Sequence, residues 1–363
     1  MYRVCNRCVM DTSASDIQFD ELGNCNFCNE IFQDNTPKII DISNSLESLI
    51  EEIKSSGLGK KYDCIVGVSG GLDSSWALVQ AVKLGLRPLA VHMDNGWNSE
   101  LAQSNIANLI SKLGVDLYTY VINWKEYRIL MESFFKADVI DVELLYDNAM
   151  LAVNYRQALK YNVKYMLMGY NTSTEGIKMP KNWNWFKYDV KNIRSIAKLN
   201  NYPTLTSFPT FSIFDFIYCS YIRRVKSVPF LDYFEYSKEN ALKDLTLNYS
   251  YKPYPYKHYE SIFTRFYQGY ILPKKFKVDK RRVHLSSLIV SNQLSRKDAI
   301  SKLDEDPYVS VRQFEQDKSY FLKKMNWTEI QLEEYIKRPG ILHDKYPTEK
   351  PIWEFFKKLY LKR

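Results

Sequence analysis

The sequence contains no long apolar run. It opens with Met1–Cys5, without the hydrophobic stretch of a secretory signal peptide. The longest apolar-looking tract, at residues 208–225, includes Asp215 and nearly ends on Arg223 and Arg224, which predicts a buried helix rather than a membrane span. The composition, 45% hydrophobic and 25% charged, is typical of globular domains. We therefore expect a cytoplasmic protein with no membrane segment.

Cysteine is scarce outside the N-terminal region. Four of the six cysteines lie in the first 28 residues, and the other two are Cys64 and Cys219. Cys64 lies in a predicted strand and Cys219 in an apolar helix, so both are expected to be core residues rather than reactive thiols. Tyr2 excludes a nucleophilic cysteine at position 2, and no Gly-x-Cys-x-Gly elbow occurs. The chain is therefore not expected to hydrolyse glutamine itself, and sulfur chemistry is disfavoured.

The N-terminal cysteines form two C-x2-C pairs. Cys5 and Cys8 are separated from Cys25 and Cys28 by sixteen residues, and residues 17–24 predict a hairpin that brings the pairs together. In a cytoplasmic chain, clustered pairs indicate a metal site before disulfides. Four thiolates leave no open position around a tetrahedral ion, so a structural zinc is expected. An iron–sulfur cluster is the alternative, and unligated thiols are a third.

Segments with strand and helix periodicity alternate through the first half of the chain. Strands are predicted at 64–68, 87–94, 117–122 and 165–170, and helices at 41–56, 99–113 and 142–161. This alternation predicts an α/β fold with a parallel, doubly wound sheet covered on both faces. After about residue 205 the chain becomes rich in Tyr, Phe and Lys. We predict a zinc-binding module at 1–38, the sheet domain at 39–205 and a mostly helical substrate or partner domain at 206–363.

Polar residues lie at the ends of three predicted strands. They are Ser69–Ser75 after the first strand, His92–Asp94 at the second, and Gly169–Glu175 at the last. Ligands on parallel sheets bind outside the carboxyl ends of the strands. The three segments are therefore expected to converge on one site.

The first of these loops, SGGLDSS, has no lysine. A P-loop carries Lys directly before its Ser or Thr, whereas this loop has Asp73. Gly70 and Gly71 allow close backbone approach, and the amide groups of the turn and helix start can surround a phosphate. The hydroxyl donors are Ser69, Ser74 and Ser75. Because a carboxylate repels phosphate unless a cation lies between them, we assign Asp73 to magnesium, with Glu175 as its second ligand.

Positive charge is concentrated in one part of the chain. The net charge is +8, yet residues 1–60 hold 5 Lys/Arg against 10 Asp/Glu, while residues 251–290 hold 9 against 2. This cluster predicts an anionic ligand, either phosphate or nucleic acid, and a solvated face is the alternative. Its core residues are Lys274, Lys275, Lys277, Lys280, Arg281 and Arg282.

The SGGLDSS loop resembles the signature of the PP-loop ATP pyrophosphatases. The resemblance implies that a substrate oxygen attacks the α phosphorus of ATP while the loop holds the departing pyrophosphate. It also implies that adenine lies near His92, Met93 and Asp94, with Gly169 also in the ATP site. Glu175 resembles the magnesium ligand of NAD synthetases, although Tyr170 stands where those enzymes usually have Thr.

A wider resemblance covers most of the chain. The cysteine pairs, the loop, residues 192–199 (NIRSIAKL) and above all Tyr254–Leu288 are similar to the N-acetyl sugar amidotransferase family of surface-polysaccharide and O-antigen biosynthesis. This implies that ATP adenylates the N-acetyl amide oxygen of a sugar nucleotide, and that ammonia displaces AMP to give an acetamidino sugar. It also implies ATP, Mg²⁺ and structural Zn²⁺, and a separate glutaminase that supplies ammonia, often with a cyclase-like barrel protein.

The polar residues of the C-terminal tract fit such a substrate. With Asp73, we assign Lys277 and Arg281 to catalysis because basic side chains engage phosphate groups, and His258 to accepting a proton from ammonia. Substrate contacts are assigned to Asn171, Glu260, Arg265 and Arg282. For each C-terminal residue taken singly, a structural or surface role is the alternative.

Two further functions are compatible with the same loop. A tRNA-modifying enzyme of the thiolation type shares the loop and often a zinc module, and its basic, aromatic surface would bind RNA. The shortage of a catalytic cysteine counts against it. A nucleotide-binding regulator without catalysis is the third function, whereas the leading interpretation involves no nucleic acid.

Overall fold

A five-stranded parallel sheet forms the centre of the chain. The computed structural model describes residues 2–34, 42–202, 205–255 and 259–360. The strands are β1 Cys64–Gly67, β2 Pro88–Asp94, β3 Asp116–Val121, β4 Tyr165–Met168 and β5 Lys226–Pro229. Their order is β3-β2-β1-β4-β5, and every neighbouring pair is parallel. The predicted parallel sheet is therefore confirmed.

Helices precede, connect and follow these strands. In the described residues they are α1 Asn26–Asp34, α2 Ile42–Ser56, α3 Leu72–Lys83, α4 Glu100–Leu113, α5 Trp124–Lys136, α6 Leu144–Lys160, α7 Thr172–Glu175, α8 Val190–Ala197, α9 Ile213–Ile217, α10 Lys238–Tyr249, α11 Ile262–Phe266, α12 Arg281–Val290, α13 Arg296–Asp304, α14 Val311–Met325, α15 Glu329–Lys337 and α16 Lys350–Tyr360. Two π-helices, Tyr218–Ile222 and Tyr267–Phe276, continue α9 and α11. The C-terminal region is thus helical, as predicted.

The sheet separates two hydrophobic cores. Successive side chains of a strand point to opposite faces, so Cys64 and Val66 pack with residues of α2, α3, α4 and α10. Ile65, between them, packs with residues of α5 and α6 on the other face. Because helices cover both faces, the central strands are almost wholly apolar.

Several elements of the sheet domain are absent from the predicted set, among them α5 and β5. Helix α5 begins at Trp124, where Asn123 Oδ1 accepts from Glu126 N at 3.5 Å. Strand β5 lies beyond the predicted boundary at residue 205 and pairs with β4 in the register Tyr165↔Lys226. The domain division stays a prediction, but the sheet itself extends to Pro229.

The apolar tract at 208–225 differs from the predicted buried helix. It contains α9 and the first π-helix, and one side of these helices is exposed to solvent. Phe214 and Ile222 are 63% and 67% exposed, whereas Cys219 is buried. That prediction is wrong because aromatic density does not encode which side of a short helix faces the core. Within the described ranges, no helix combines the length and apolarity that crossing a membrane requires.

Candidate active site and metal centre

A large cavity lies where the strand order changes direction. From β1 the chain moves outward through β2 and β3, and then places β4 on the other side of β1. The crevice outside the carboxyl ends of such strands is the usual ligand site of parallel sheets. A cavity of about 810 Å³ is found here, lined by the loops after β1 and β4 and by residues of α11 and α12.

The loop after β1 is held in shape by its own serines. Ser69 Oγ accepts a hydrogen bond from Gly71 N at 3.2 Å and lies 3.1 Å from Ser74 Oγ. Gly70 has φ +82°, a left-handed conformation that glycine adopts without strain. No side chain caps α3, whose N-cap is Gly71, so the amide groups of its first turn are available to an anion.

The loop after β4 packs directly on this turn through Gly169. A β-carbon at Gly169 would lie 2.8 Å from the backbone nitrogen of Ser74 and 3.0 Å from the carbonyl carbon of Asp73. Both neighbours are backbone atoms, so neither can rotate away. The missing side chain of Gly169 therefore lets the two loops meet.

Two carboxylates, Asp73 and Glu175, line the cavity at this junction. The hydroxyl of Tyr236 donates a hydrogen bond to Asp73 Oδ1. Burial raises the pKa of Tyr236 far above its usual value, and the negative charges of Asp73 and Glu175 raise it further. Carboxylate oxygens are the ligands that a hard divalent cation prefers, so Asp73 and Glu175 have the donor chemistry of magnesium ligands.

Glu175 is positioned by the short helix α7. Asn171 caps α7, and its Oδ1 accepts from Thr174 N at 2.8 Å. Asn171 is fully buried, and its Nδ2 has no hydrogen-bond partner within the described ranges. The side chain of Asn171 therefore orients the carboxylate loop and does not line the cavity.

At the end of β2, the ring of His92 is hydrogen-bonded through both of its nitrogen atoms. Its Nδ1 donates to Val68 O at 2.8 Å, and its Nε2 accepts from Asn98 Nδ2 at 3.0 Å. Burial lowers the pKa of His92, which favours the neutral ring that this pairing requires. Asp94 Oδ1 accepts from Gly96 N at 2.8 Å. Of the three residues expected near adenine, Met93 lines the cavity.

The structure brings many of the predicted site residues to one cavity. Those that line it are Ser69, Gly71, Asp73, Ser74, Met93, Gly169, Glu175, Glu260, Arg265 and Arg281. Those outside its lining are Gly70, Ser75, His92, Asp94, Asn171, Lys277 and Arg282. His258 lies outside the described residues. The functional roles assigned to all of these residues stay predictions.

The basic cluster does not form one anion-binding surface. Lys275 is buried, and its Nζ donates to Asp138 Oδ1 at 2.8 Å and to two backbone carbonyls. Arg282 pairs with Asp11 at 2.9 Å, on the side of the cysteine module. Lys277 is exposed, and its Nζ donates to Lys274 O at 3.0 Å. The expectation that these side chains act together is wrong. The chain turns between the second π-helix and α12, so the basic side chains point in different directions.

Arg281 and Arg265 line the cavity but are already bound to the protein. Arg281 forms hydrogen bonds with Asp279 and with three backbone carbonyls at the end of α13. Arg265 Nη2 donates to Asp317 Oδ1 at 2.6 Å, and its guanidinium lies 4.5 Å from the ring centre of Tyr259. Both arginines therefore fix the shape of the cavity wall.

Further residues from the C-terminal tract and from α6 complete the lining, and of these the sequence had singled out Glu260 and Lys280. Tyr254 donates from its hydroxyl to Gly70 O at 3.0 Å, and Glu260 Oε1 lies 3.5 Å from the position of a β-carbon built on Gly71. Further polar lining residues are Tyr146, Asp147, Gln268, Lys280 and His284. For Tyr254 and its neighbours, the signals in the sequence were the family resemblance of Tyr254–Leu288 and the density of tyrosines between residues 249 and 259.

Ion pairs lie beside the part of the cavity wall that Lys280 and Asp147 form. Lys280 Nζ lies 2.8 Å from Glu143 Oε2, which also accepts from Gln268. Burial alone would raise the pKa of Glu143, but the Lys280 charge and the Gln268 hydrogen bond outweigh it and lower the pKa. Lys187 Nζ lies 2.8 Å from Asp147 Oδ2 and 2.7 Å from Asp141 Oδ2. Burial raises the pKa of Asp147, and Lys187 offsets this only in part.

The four N-terminal cysteines form a buried cluster. Their Sγ atoms all lie within 4.8 Å of one another, with Cys5–Cys28 at 3.8 Å and Cys8–Cys25 at 3.5 Å. The donor set fits a thiolate-bound metal, either zinc or an iron–sulfur cluster.

This module is bound to the C-terminal helices. Arg296 Nη2 donates to Cys5 O at 2.9 Å, and Val9 N donates to Ser286 Oγ of α12 at 3.2 Å. Another side of α12 presents His284 and Leu288 to the large cavity, and Leu285, which also lines it, packs with Val9 of the module. The cysteine module therefore supports a helix of the cavity wall.

Comparison with known proteins finds a family similarity in the C-terminal region. The family model described as "LPS biosynthesis protein WbpG-like, C-terminal domain" matches residues 260–360, which include the cavity residues on α11 and α12. This region is therefore similar to the WbpG-like C-terminal domain, which confirms the resemblance to a surface-polysaccharide family at the level of LPS biosynthesis. Among curated proteins, none matches the chain.

Three solved structures are similar at low identity. NMN synthetase from Francisella tularensis is 14% identical, over 60% of this chain and 99% of that chain, with a TM-score of 0.30. NH3-dependent NAD synthetase from Campylobacter jejuni is 16% identical, over 75% and 100%, with a TM-score of 0.29. The U34-tRNA thiolase NcsA from Methanococcus maripaludis is 12% identical, over 87% and 88%, with a TM-score of 0.33. Superpositions this weak assign no reaction to the chain.

Proposed function

We propose that the chain is an ATP-dependent amidotransferase synthetase of LPS biosynthesis. It adenylates the N-acetyl amide oxygen of a sugar nucleotide and lets ammonia displace AMP, which gives an acetamidino sugar. The observation that carries this proposal is that Asp73, in the uncapped first turn of α3, and Glu175 line one cavity, whose other wall belongs to the WbpG-like domain.

The loop chemistry supports cleavage of ATP between its α and β phosphates. The amide groups at the start of α3 suit the negative charge of a departing pyrophosphate. A magnesium ion held by Asp73 and Glu175 would neutralise that charge. Unlike the P-loop of a γ-phosphoryl transferase, this loop has no lysine that could bind the terminal phosphates of ATP.

The reaction balances without a further reactant. The amide oxygen attacks the α phosphorus, a P–O bond forms, and pyrophosphate leaves. Ammonia then attacks the former carbonyl carbon, the C–O bond breaks, and AMP departs with the oxygen. A base in the cavity must accept the proton that ammonia loses. His284 and Asp147 both line the cavity, and His258, which was assigned this role, remains a candidate.

The cavity favours nitrogen over sulfur as the incoming nucleophile. Within the described part of the chain, no cysteine lines the cavity, and all six cysteines are buried. Thiolation normally needs a reactive thiol. Because the chain also lacks a glutaminase motif, we propose that a separate glutaminase supplies the ammonia, with the barrel protein as an optional further partner.

We assign a single zinc ion to the four cysteines. Tetrahedral Zn–S bonds of about 2.3 Å place the sulfur atoms about 3.8 Å apart, close to the 3.8 Å and 3.5 Å separations of Cys5–Cys28 and Cys8–Cys25. A four-iron cluster has sulfide and iron atoms between its cysteine ligands and needs wider spacing. When bound, the zinc would supply folding energy to the module.

Pyrophosphate release tests the proposed function. The purified chain is given MgATP, ammonium chloride and each of a set of UDP- and CMP-linked N-acetyl sugars. We expect AMP and pyrophosphate to form only when ammonium and one of these sugars are both present. Formation of ADP, or pyrophosphate release that needs tRNA instead of a sugar, would contradict the proposal.

A further inference from the structure

Helix α6 presents one face to the large cavity. Its lining residues include Asp147, Met150, Leu151 and Asn154, whose spacing of three, four and seven residues places them on one side of the helix. Asn154 Oδ1 lies 3.4 Å from the position of a β-carbon built on Gly67, the last residue of β1. Asp147 comes seven residues before Asn154, which is about 10 Å along the helix axis. It therefore lies two turns of α6 away from the strand end that carries the SGGLDSS loop.

The direction of α6 places Asp147 at the carboxyl edge of the sheet. The helix ends at Lys160 and β4 begins at Tyr165, so the helix runs back along the sheet before the strand starts. The 17 residues of α6 span about 25 Å and the 4 residues of β4 about 13 Å. The first turn of α6, which contains Asp147, therefore extends past the carboxyl end of β4.

A frame of buried contacts holds the Asp147 carboxylate. Lys187 Nζ binds Asp147 Oδ2 and also pairs with Asp141, whose side chain is fully buried. The backbone nitrogen of Trp185 donates to Asp141 Oδ2 at 2.7 Å. Asn148 Nδ2 donates to the backbone carbonyl of Lys187, also at 2.7 Å. The position of Asp147 is therefore set by the folded chain around it.

The same carboxylate remains open to the cavity. The closest contact with Lys187 uses Oδ2, and 35% of the Asp147 side chain is exposed, so Oδ1 can meet a ligand. Burial raises the pKa of the Asp147 carboxyl, and the Lys187 charge offsets this only in part. A carboxylate with a raised pKa is a stronger proton acceptor than an ordinary surface aspartate.

The other carboxylates of the cavity lie at its phosphate end. In the described residues, four acidic side chains line the cavity. Asp73 and Glu175 are the assigned magnesium ligands. Glu260 Oε1 lies 3.5 Å from the position of a β-carbon built on Gly71, beside the turn assigned to pyrophosphate. Asp147 is the remaining one, and it is placed for a part of the substrate beyond the phosphates.

We propose that Asp147 accepts the proton that ammonia loses as it attacks the adenylated amide, an inference that rests on the proposed function. The nitrogen of ammonia bonds to the former carbonyl carbon, the C–O bond breaks, and AMP leaves with the oxygen. One N–H proton of the attacking nitrogen passes to Asp147 Oδ1 and from there to solvent. The product amidinium is a cation, so the ionised carboxylate also stabilises it. Lys187 is a positioning residue that holds Oδ2.

Asp147→Asn tests this role, because it preserves the size of the side chain and removes its basicity. Asp116→Asn is the matched control, since Asp116 pairs with Lys61 at 3.0 Å and is outside the cavity lining. Each protein is mixed with MgATP, ammonium chloride and the N-acetyl sugar nucleotide that supports turnover. Pyrophosphate and AMP are then measured by rapid quenching from the first turnover onward.

Loss of the base should slow the attack of ammonia and leave the earlier adenylation intact. In Asp147→Asn we expect a burst of about one pyrophosphate per chain. AMP should then form about 100-fold more slowly than in the wild-type chain, because a general base contributes at least this factor. Asp116→Asn should match the wild-type chain in both products.

The outcomes separate this inference from the proposed function. AMP formation at the wild-type rate in Asp147→Asn would overturn the role of Asp147. A slow variant without a pyrophosphate burst would also overturn it, because Asp147 would then act on adenylation or on the shape of the cavity. A wild-type chain that forms no AMP with any N-acetyl sugar nucleotide would instead defeat the proposed function, and this inference with it.

Discussion

The hydroxyl of Tyr236 donates a hydrogen bond to Oδ1 of Asp73. This contact joins the segment after β5 to the first turn of α3. The Tyr236 ring also packs against Trp76 of α3, with ring centres 5.3 Å apart. The orientation of the proposed metal-binding carboxylate is therefore set by a residue 163 positions away along the chain.

Asp73→Asn should lower pyrophosphate release by roughly two orders of magnitude or more, because it removes charge that holds the cation on the leaving group. The fold should persist, since Asp73 lies on the cavity surface. Glu333→Gln, in an exposed ion pair on α15, is the control and should retain full activity. Wild-type rates in Asp73→Asn would remove this carboxylate from the mechanism.

Tyr236→Phe should weaken MgATP binding without abolishing turnover. A hydrogen bond to a charged group contributes about 1.5–3 kcal/mol, so the KM for MgATP should rise roughly tenfold or more. Tyr218→Phe, at a 43% exposed ring, is the comparison and should leave the KM unaltered. Steady-state kinetics at several magnesium concentrations would measure the effect. Equal KM values in the two variants would contradict it.

Gly169→Ala should disturb the junction of the two loops. Its β-carbon would lie 2.8 Å from the backbone nitrogen of Ser74, and such overpacking costs about 1–3 kcal/mol. Gly67→Ala is the matched control, since the nearest atom to its β-carbon would be the side-chain atom Asn154 Oδ1, at 3.4 Å. Urea denaturation should show the loss of stability in Gly169→Ala alone. A similar loss in both variants would mean that the close approach is unimportant.

Cys25→Ser should remove the metal and lower the melting temperature. Elemental analysis of the wild-type chain should find one zinc per chain, with no visible absorption of an iron–sulfur cluster. Cys219→Ser alters a buried cysteine outside the cluster and should retain the zinc. Iron and sulfide in the wild-type chain would refute the zinc assignment, and unchanged metal content in Cys25→Ser would refute the ligand set.

His343 should make stability depend on pH. Burial lowers its pKa from 6.5 to about 4, and the charges of Asp141 and Lys187 act in opposite directions. Between these pH values the unfolded chain binds a proton that the folded chain does not. The contribution of the neutral, buried His343 to the free energy of unfolding is therefore complete above about pH 6.5, and it declines by roughly 3 kcal/mol as the pH falls to 4.

His343→Gln isolates the effect from other acidic groups. The imidazole stacks on Trp185 and lies within 2.8 Å of Asn192 Oδ1, so the variant should be less stable at neutral pH. Its free energy of unfolding should, however, fall less steeply between pH 6.5 and 4. Parallel pH profiles for the two proteins would show that His343 does not titrate as described.

The loops after β1 and β4 could be predicted because their information is local. An apolar strand followed by glycine and serine predicts a turn at the carboxyl edge of a parallel sheet. The sequence therefore located Asp73 and Glu175, and the structure places both on one cavity. The four cysteines were predictable for the same reason, since their spacing alone specifies a compact cluster.

The residues that reach the site from other parts of the chain could not be predicted in the same way. Tyr236, Tyr254 and Gln268 reach the site through tertiary packing between segments more than 100 residues apart. The basic cluster was misleading because the sequence shows which residues are positively charged but not which carboxylate each of them pairs with. Lys275 and Arg282, seven residues apart, form ion pairs with Asp138 and Asp11.

Transfer of oxygen from the sugar amide to AMP tests the central claim most directly. The N-acetyl sugar nucleotide that supports turnover is labelled with ¹⁸O in its acetyl group, and the products are analysed by mass spectrometry. If the amide oxygen is adenylated and then displaced by ammonia, one ¹⁸O atom will appear in each AMP formed, and the product amidine will carry none. AMP without the label, with ¹⁸O retained in the sugar, would contradict the account.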